Sequence, residues 1–421
     1  MLNEHPTCSS TGLSNFRCQL LLAAFYFCVV ALWSIGIAFN GAPDESTHFF
    51  LLEYLKAFHT LPLASEPHEA LLGPISGHTW QKGDFWYHGL PFPHIAGALI
   101  TTYVGSWILP ADMIYMAARS FNWILGCVFI CALFRTSRST GLPVLMSALI
   151  ALVVALIPQV TFVFSYLNSD AYGLASIALL ISTLVSFLNS PTRKRALYLG
   201  MALGLMFMAK LYFIPALVFA FTLLAANRAF KNTQLFKHAP TAIVVSLVVS
   251  LPMLLLVYTK YGEISGVSGQ IDFVNMHKLN PAAGYGTCYL LCGDHFLNTE
   301  TVFPWLNLTL KSYFSVTGWM NIFIPNSYYL ASAFILISIA LIALYQMKPI
   351  DRSERKLDIA LQYGLPLVMI IALYPSITLM SLIASQNSLP QPQGRYLFVT
   401  IPFLGLLLSL TAKRFIQRSV R

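Results

Sequence analysis

Charge is scarce in this sequence. Only 10% of its 421 residues are Asp, Glu, Lys or Arg, against roughly 25% in soluble domains, and that shortage excludes an ordinary water-soluble fold. Strict polar–apolar alternation is also missing, which excludes a membrane β-barrel. No Walker loop and no dinucleotide glycine motif occur, which argues against a nucleotide-dependent cytosolic reaction. There is no internal repeat and no low-complexity tract. The first apolar run, Leu20 to Phe39, lacks a small-residue cleavage site and is too long for a cleaved leader, so it is expected to stay as a signal anchor.

What is present is grease. Hydrophobic residues make up 57% of the chain and the mean hydropathy is +0.68. In a bilayer the backbone must satisfy its own polar groups, and long unbroken runs do so as helices. Runs of roughly 20 apolar residues, some shorter, predict about ten transmembrane helices: 20–39, 115–134, 142–158, 171–188, 196–209, 211–225, 239–258, 327–346, 359–384 and 397–411. The pair 196–209 and 211–225 also reads as one long helix. The fold class is an all-α polytopic membrane protein, with residues 1–421 forming one integral membrane domain.

The formal net charge of +9 is distributed by side, which argues against nucleic acid as a partner. With the N-terminus inside, the inner segments collect Arg135, Arg138, Arg193, Lys194, Arg195, Lys237, Lys348, Lys413, Arg414 and other bases, the positive-inside signature. Of the acids only Glu4, Asp351, Glu354 and Asp358 fall there. Both termini are therefore expected in the cytoplasm, in an inner (plasma) membrane. The segment 93–109 is apolar enough to cross, but crossing would put "RTSRST" (135–140) outside against the charge rule. It reads instead as a helix lying in the outer interface.

Two outer segments are too long to be simple connections: 40–114, the first outer loop with interfacial helices, and 259–326, the second. The first opens with "PDESTH" (43–48). Pro43 suits a first helical turn, and acids are favoured there by the helix dipole. Leu51, Leu52, Leu55 and Phe58 then form an apolar stripe, so this helix is expected on the membrane surface. On it Asp44 and His48 share a face while Asp44 and Glu45 diverge. Capping explains one acid, but less well the tight Asp44, Glu45, His48 cluster straight after a spanning helix. The same trio could ligate a divalent cation, Mg or Mn.

Other ionisable groups gather on the same side. "GHTWQKGDFWYHGLPFPH" (77–94) sets Asp84 and His88 among aromatics, either an interfacial belt or a platform for sugar rings. "YLNSDA" (166–171) puts Asn168 and Asp170 at another boundary, as a cap or as substrate ligands. Lys210, in "FMAKLYF", is an ionisable group in apolar sequence, facing a cavity or partner or snorkelling. Arg395, in "QPQGRYLF", offers a planar fork suited to phosphate, and Gly394 permits close backbone approach. "KSYFSVTGWMNIFIP" (311–325) reads as a segment dipping into the outer leaflet or packed on the other helices. Cys288 and Cys292, in an outer loop, form either a disulfide or two small buried hydrophobes; a zinc site would need more ligands than His295.

A carboxylate base beside cations for a phosphate suits transfer of a group from a lipid phosphate to a hydroxyl. The motifs "PDESTH", "YLNSDA", "GWMNIFIP" and "QGRYLFVTIP", in this order over about 40–402, resemble those of a bacterial membrane-protein family, domain of unknown function 2142. The wider layout resembles the GT-C superfamily of membrane glycosyltransferases. That resemblance implies a polyprenyl-phosphate sugar donor, a reaction on the periplasmic side, a base at Asp44 with Glu45 beside it, and a donor phosphate facing Arg395 and Lys210. His48, Asn168, Asp170, Asp84 and His88 would orient groups or bind substrate. The expected activity is inverting transfer to a glycan or glycolipid hydroxyl of the cell envelope. The rival is a transporter or flippase of lipid-linked sugars, which usually carries inverted repeats and midplane sites.

Overall fold

The computed structural model describes residues 10–63, 92–210, 213–218, 220, 233–264, 299–346 and 393–419. Asp84, His88, Cys288, Cys292 and the expected span 359–384 lie outside the described residues, as does most of 211–225. The described chain is helical but for one small hairpin. Its elements are α1 (Ser10–Gly36), α2 (Glu45–Phe58), α3 (Phe92–Gly105), α4 (Ile114–Ser139), α5 (Val144–Ala155), α6 (Pro158–Ser165), α7 (Asp170–Asn189), α8 (Arg193–Phe207), α9 (Thr233–Tyr261), α10 (Thr299–Phe314), β1 (Val316–Thr317), β2 (Ile322–Phe323), α11 (Asn326–Gln346) and α12 (Ile401–Ser419).

Among the described residues six helices are long and apolar enough to cross a membrane, and up to seven if one bent pair counts as a single span. That bent pair corrects the expected helix 142–158. Pro158 has no N–H and pushes the residue before it out of the helical region. Ile157 accordingly takes ψ 122°, α5 stops at Ala155, and α6 leaves at 72°. The expected span 196–209 is α8, only 15 residues long, and the chain leaves the helix at 208–210.

The apolar segment 93–109 forms a helix of 14 residues. At 1.5 Å per residue that is about 21 Å, short of a hydrocarbon core of about 30 Å. It packs on α2 and α4. The stripe on α2 differs from its expected place on the membrane surface. Leu51, Leu52 and Leu55 are buried in the protein, among Ile95, Ala98, Ala118, Leu167 and Met253; only Phe58 stays half exposed. Conversely, α11 shows Leu330, Phe334 and Ile337 outward, as a lipid-facing helix does.

α4 is the central post. It packs against α1, α3, α5, α6, α7 and α12. α8 and α9 meet closely because Gly200 and Gly204, four apart, present no side chain. A Cβ on Gly200 would lie 2.6 Å from the Ala242 carbonyl oxygen. The α1–α2 joint is fixed by charge rather than grease. Arg119, from α4, is fully buried. Its Nη1 donates to the Ser34 and Ile37 carbonyls at 2.8 and 2.7 Å, and its Nη2 to that of Ala38 at 3.0 Å. These carbonyls lie in the last turn of α1 and just beyond it, and those of Ser34 and Ala38 also accept from the Ile37 and Gly41 N–H groups. The same guanidinium grips Glu45 through Nε to Oε1 at 2.6 Å and Nη2 to Oε2 at 2.8 Å. The start of α2 is thereby clamped to the end of α1.

Two outcomes are expected. Glu45→Gln leaves Arg119 buried without a counter-charge, so the detergent-solubilised protein should lose about 3–5 kcal/mol, read as a fall in melting temperature by size-exclusion fluorescence; an unchanged melting temperature would deny the clamp. Gly394→Ala places a Cβ 2.2 Å from the Tyr313 backbone nitrogen, so the same assay should show a loss of about 1–3 kcal/mol.

Candidate functional site

The four motifs quoted from the sequence meet at one end of the bundle. They wall a cleft that is open to solvent. Pro43 comes from the first motif, Tyr166 and Asp170 from the second, Gly318 and Met320 from the third, and Gly394, Arg395 and Phe398 from the fourth.

Local ties hold each wall. Gln159 Oε1 accepts from the Val316 N–H at 2.7 Å and so joins α6 to the hairpin. The Trp319 indole donates to the Asn40 carbonyl at 2.8 Å, joining the hairpin to the loop before α2. Ser312 Oγ accepts from the Gly394 N–H at 2.6 Å, and the Tyr313 hydroxyl meets Thr400 Oγ1 at 2.9 Å. The segment 394–400 therefore lies against α10, and Arg395 is turned to the cleft. Only a glycine at 394 allows that approach.

Asp44 stands in the left-handed region, φ 63°, a conformation costly for most residues but tolerated by aspartate. Such outliers gather at functional sites. As the cap residue of α2 it makes no side-chain bond to the helix amides. Its Oδ2 instead accepts from Arg395 Nη1 at 3.0 Å. Glu45, one residue on, points the other way. Its Oε1 takes Arg119 and the Leu167 N–H at 3.2 Å, and its Oε2 takes Arg119 and the Asn40 N–H at 2.9 Å. The divergence expected from helical spacing is what the geometry holds: one carboxylate on the cleft side, one inside the protein.

Asp170 is buried at the start of α7 and lines the cleft. Lys210 Nζ donates to its Oδ1 at 2.9 Å. Lys210 stands behind Asp170 and is not itself a wall of the cleft. Ser169 is the cap residue of α7, and Asn168 just before it accepts through Oδ1 from the Asp170 and Ala171 N–H groups at 3.0 and 3.1 Å. Burial pushes the Tyr166 phenol well above its ordinary range; Asp170, Asp44 and Glu45 reinforce this and Arg395 opposes it. Tyr166 is thus a neutral ring between the carboxylates.

His48 is buried with its ring edge-on to His94, centroids 6.2 Å apart. His94 Nε2 meets Asn122 Oδ1 at 2.9 Å. Asn122 Nδ2 is spent on the Tyr166 and Asn168 carbonyls, so Oδ1 accepts and the histidine donates. Burial lowers the His94 imidazole to about 4, with Lys210 adding to the effect, so this histidine is neutral at physiological pH. Among the described residues no group of three or more His, Cys, Asp or Glu side chains could hold a metal ion. Asp44, Glu45 and His48 do not fit such a trio, because both Glu45 oxygens are taken by Arg119 and backbone amides.

Sequence reasoning missed Arg119 and Asn122. Arg119 had a signal: it is an arginine inside the expected span 115–134, and a charge there is functional or paired by default. Asn122 had none, since a single amide in an apolar run is common.

No protein-family model matches the chain, and no curated protein matches it, so the narrower resemblance to domain of unknown function 2142 gains no support. Among solved structures, the chain is similar to the crystal structure of ArnT from Cupriavidus metallidurans bound to undecaprenyl phosphate. The TM-score is 0.54 at 15% identity, covering 98% of this chain and 64% of that one. This chain therefore spans under two thirds of that protein's length. The likeness shows the fold alone, an all-α polytopic membrane protein.

Proposed function

We propose that this protein is an inverting membrane glycosyltransferase, which moves a sugar from a polyprenyl-phosphate donor to a hydroxyl of a cell-envelope glycan or glycolipid. The observation that carries this reading is the contact of a strained carboxylate, Asp44, with a cleft-lining guanidinium, Arg395. Base and phosphate ligand stand within one headgroup's reach. The undecaprenyl phosphate bound in the structure of similar fold supports a lipid-linked donor.

The chemistry follows from the groups present. Arg395 binds the donor phosphate and stabilises the charge it gains on leaving. Asp44 takes the proton of the acceptor hydroxyl. The hydroxyl oxygen bonds to the anomeric carbon as the carbon–phosphate oxygen bond breaks, and the electron pair leaves on the lipid phosphate. Glu45 holds Asp44 in position through Arg119 and is not itself the base. Lys210 acts through Asp170, whose carboxylate lines the cleft and can bind sugar or acceptor hydroxyls. The reaction lies on the outer face of the inner membrane. α4 begins at the cleft end and runs to Arg135 and Arg138; α12 likewise runs to Lys413 and Arg414. The basic end is the cytoplasmic one by the charge rule.

Asp44→Asn is expected to lower transfer by about 10²–10⁴-fold while the protein stays inserted and monodisperse. Membranes incubated with labelled polyprenyl-phosphate sugars would show it, and normal transfer by this variant would remove Asp44 as the base. Arg395→Gln is expected to raise the donor KM at least about ten-fold, as loss of a charged hydrogen bond does. Translocation of the labelled lipid by the unaltered protein without any transfer would instead favour a flippase.

A further inference from the structure

The carboxylate–cation pairs around the cleft differ in how deeply they lie. Glu45 and Arg119 are 0% exposed, and Asp170 and Lys210 are 2% and 12% exposed. Asp44 and Arg395 are 26% and 21% exposed. Parting a buried pair strands charges away from water, which costs several kcal/mol. Parting a half-wetted pair costs little, because water screens what is released. The Asp44–Arg395 pair is therefore the exchangeable one, and it is the pair at the cleft.

We infer that the lipid phosphate binds by displacing Asp44 from Arg395, so that the donor headgroup itself frees the base. This rests on the reading of Arg395 as the phosphate ligand. Before donor arrives, the guanidinium holds the Asp44 carboxylate at 3.0 Å, so that the oxygen facing the cation is occupied rather than open to an acceptor hydroxyl. A phosphate monoester or diester competes for the same donors in the same planar fork. Once it takes them, the contact between Arg395 and Asp44 is given up and the carboxylate oxygen is open to the acceptor hydroxyl. The backbone is arranged for this. Glu45 and Asn40 anchor the chain on both sides of Asp44, so the backbone stays in place when the side-chain contact changes.

After transfer the sequence runs backward. The proton passed to Asp44 is lost to water, the carboxylate regains its charge, and it competes with the product lipid phosphate for Arg395. Asp44 thus serves the reaction twice, as proton acceptor and as the group that ejects the spent carrier. It weakens donor binding as the cost of product release, and so sets the headgroup affinity of the cleft.

The test is the binding of farnesyl phosphate to the purified full chain in detergent, by titration calorimetry, with no acceptor present. Asp44→Asn is expected to bind about three- to ten-fold tighter than the unaltered protein, the worth of one partly exposed charged pair. Arg395→Gln is expected to bind at least about ten-fold weaker. In the Arg395→Gln background, Asp44→Asn should bring no gain, because the competition needs both partners. Asp44→Ser replaces Asp44→Asn should that variant not fold. Unchanged or weaker binding by the Asp44 variants, with Arg395→Gln still impaired, would overturn the exchange and leave the phosphate role of Arg395 standing. A gain that persists without Arg395 would also overturn it, reducing the effect to general charge. Full binding by Arg395→Gln would overturn the phosphate role itself.

Discussion

The grip of Arg119 on Glu45 is the constraint on which the cleft depends. One buried guanidinium closes the open end of α1 and the open start of α2 together. Each charge would be costly alone, a carboxylate without water and an arginine without a counter-charge. Together they satisfy one another, and Tyr115 covers the guanidinium at 4.8 Å from its ring centre. The consequence falls on the residue between these fixed points. Asp44 has little choice of direction, and its left-handed backbone is held from both sides rather than relaxed. Fixed neighbours place a reactive carboxylate at the cleft without using the carboxylate itself as the anchor.

Burial sorts the remaining charges by task. The deep pair is architecture. The pair of intermediate depth, Asp170 with Lys210, keeps a carboxylate on the cleft wall while Lys210 stays behind it. The shallow pair, Asp44 with Arg395, can part. Around them the Asn122 and Asn168 amides and the neutral His94 tie the 163–171 turn with hydrogen bonds but no net charge. On the proposed reading the cleft receives an anion, which needs cations that are held in place yet can change partners, and depth supplies that distinction.

The membrane class and the helical fold were legible because apolar runs and charge scarcity are properties of composition, which needs no three-dimensional information. A charge argument alone kept 93–109 out of the expected spans, since a crossing there would have inverted the loops at 135–140, and the helix found there has only 14 residues. The break at Ile157 was present in the sequence as Pro158, but proline also occurs within helices, as Pro240 and Pro252 do in α9, so its presence does not decide its effect. The stripe on α2 was visible; what it faces was not, because a stripe can pack on lipid or on protein with the same pattern. Asp44 and Arg395 were each legible as types suited to a task. Their contact was not, since nothing local relates residues 351 positions apart. The task of Glu45 was hidden for the same reason, as its partner lies on another helix.

That separation has a consequence for how the protein is made. The pair joins Asp44 to Arg395, 351 positions on, so it can form only after the residues between them have left the ribosome. While the early helices enter the bilayer, Asp44 already stands on its clamp, but Arg395 has not yet been synthesised. A chain arrested or clipped before residue 395 would carry Asp44 with no Arg395 guanidinium opposite it.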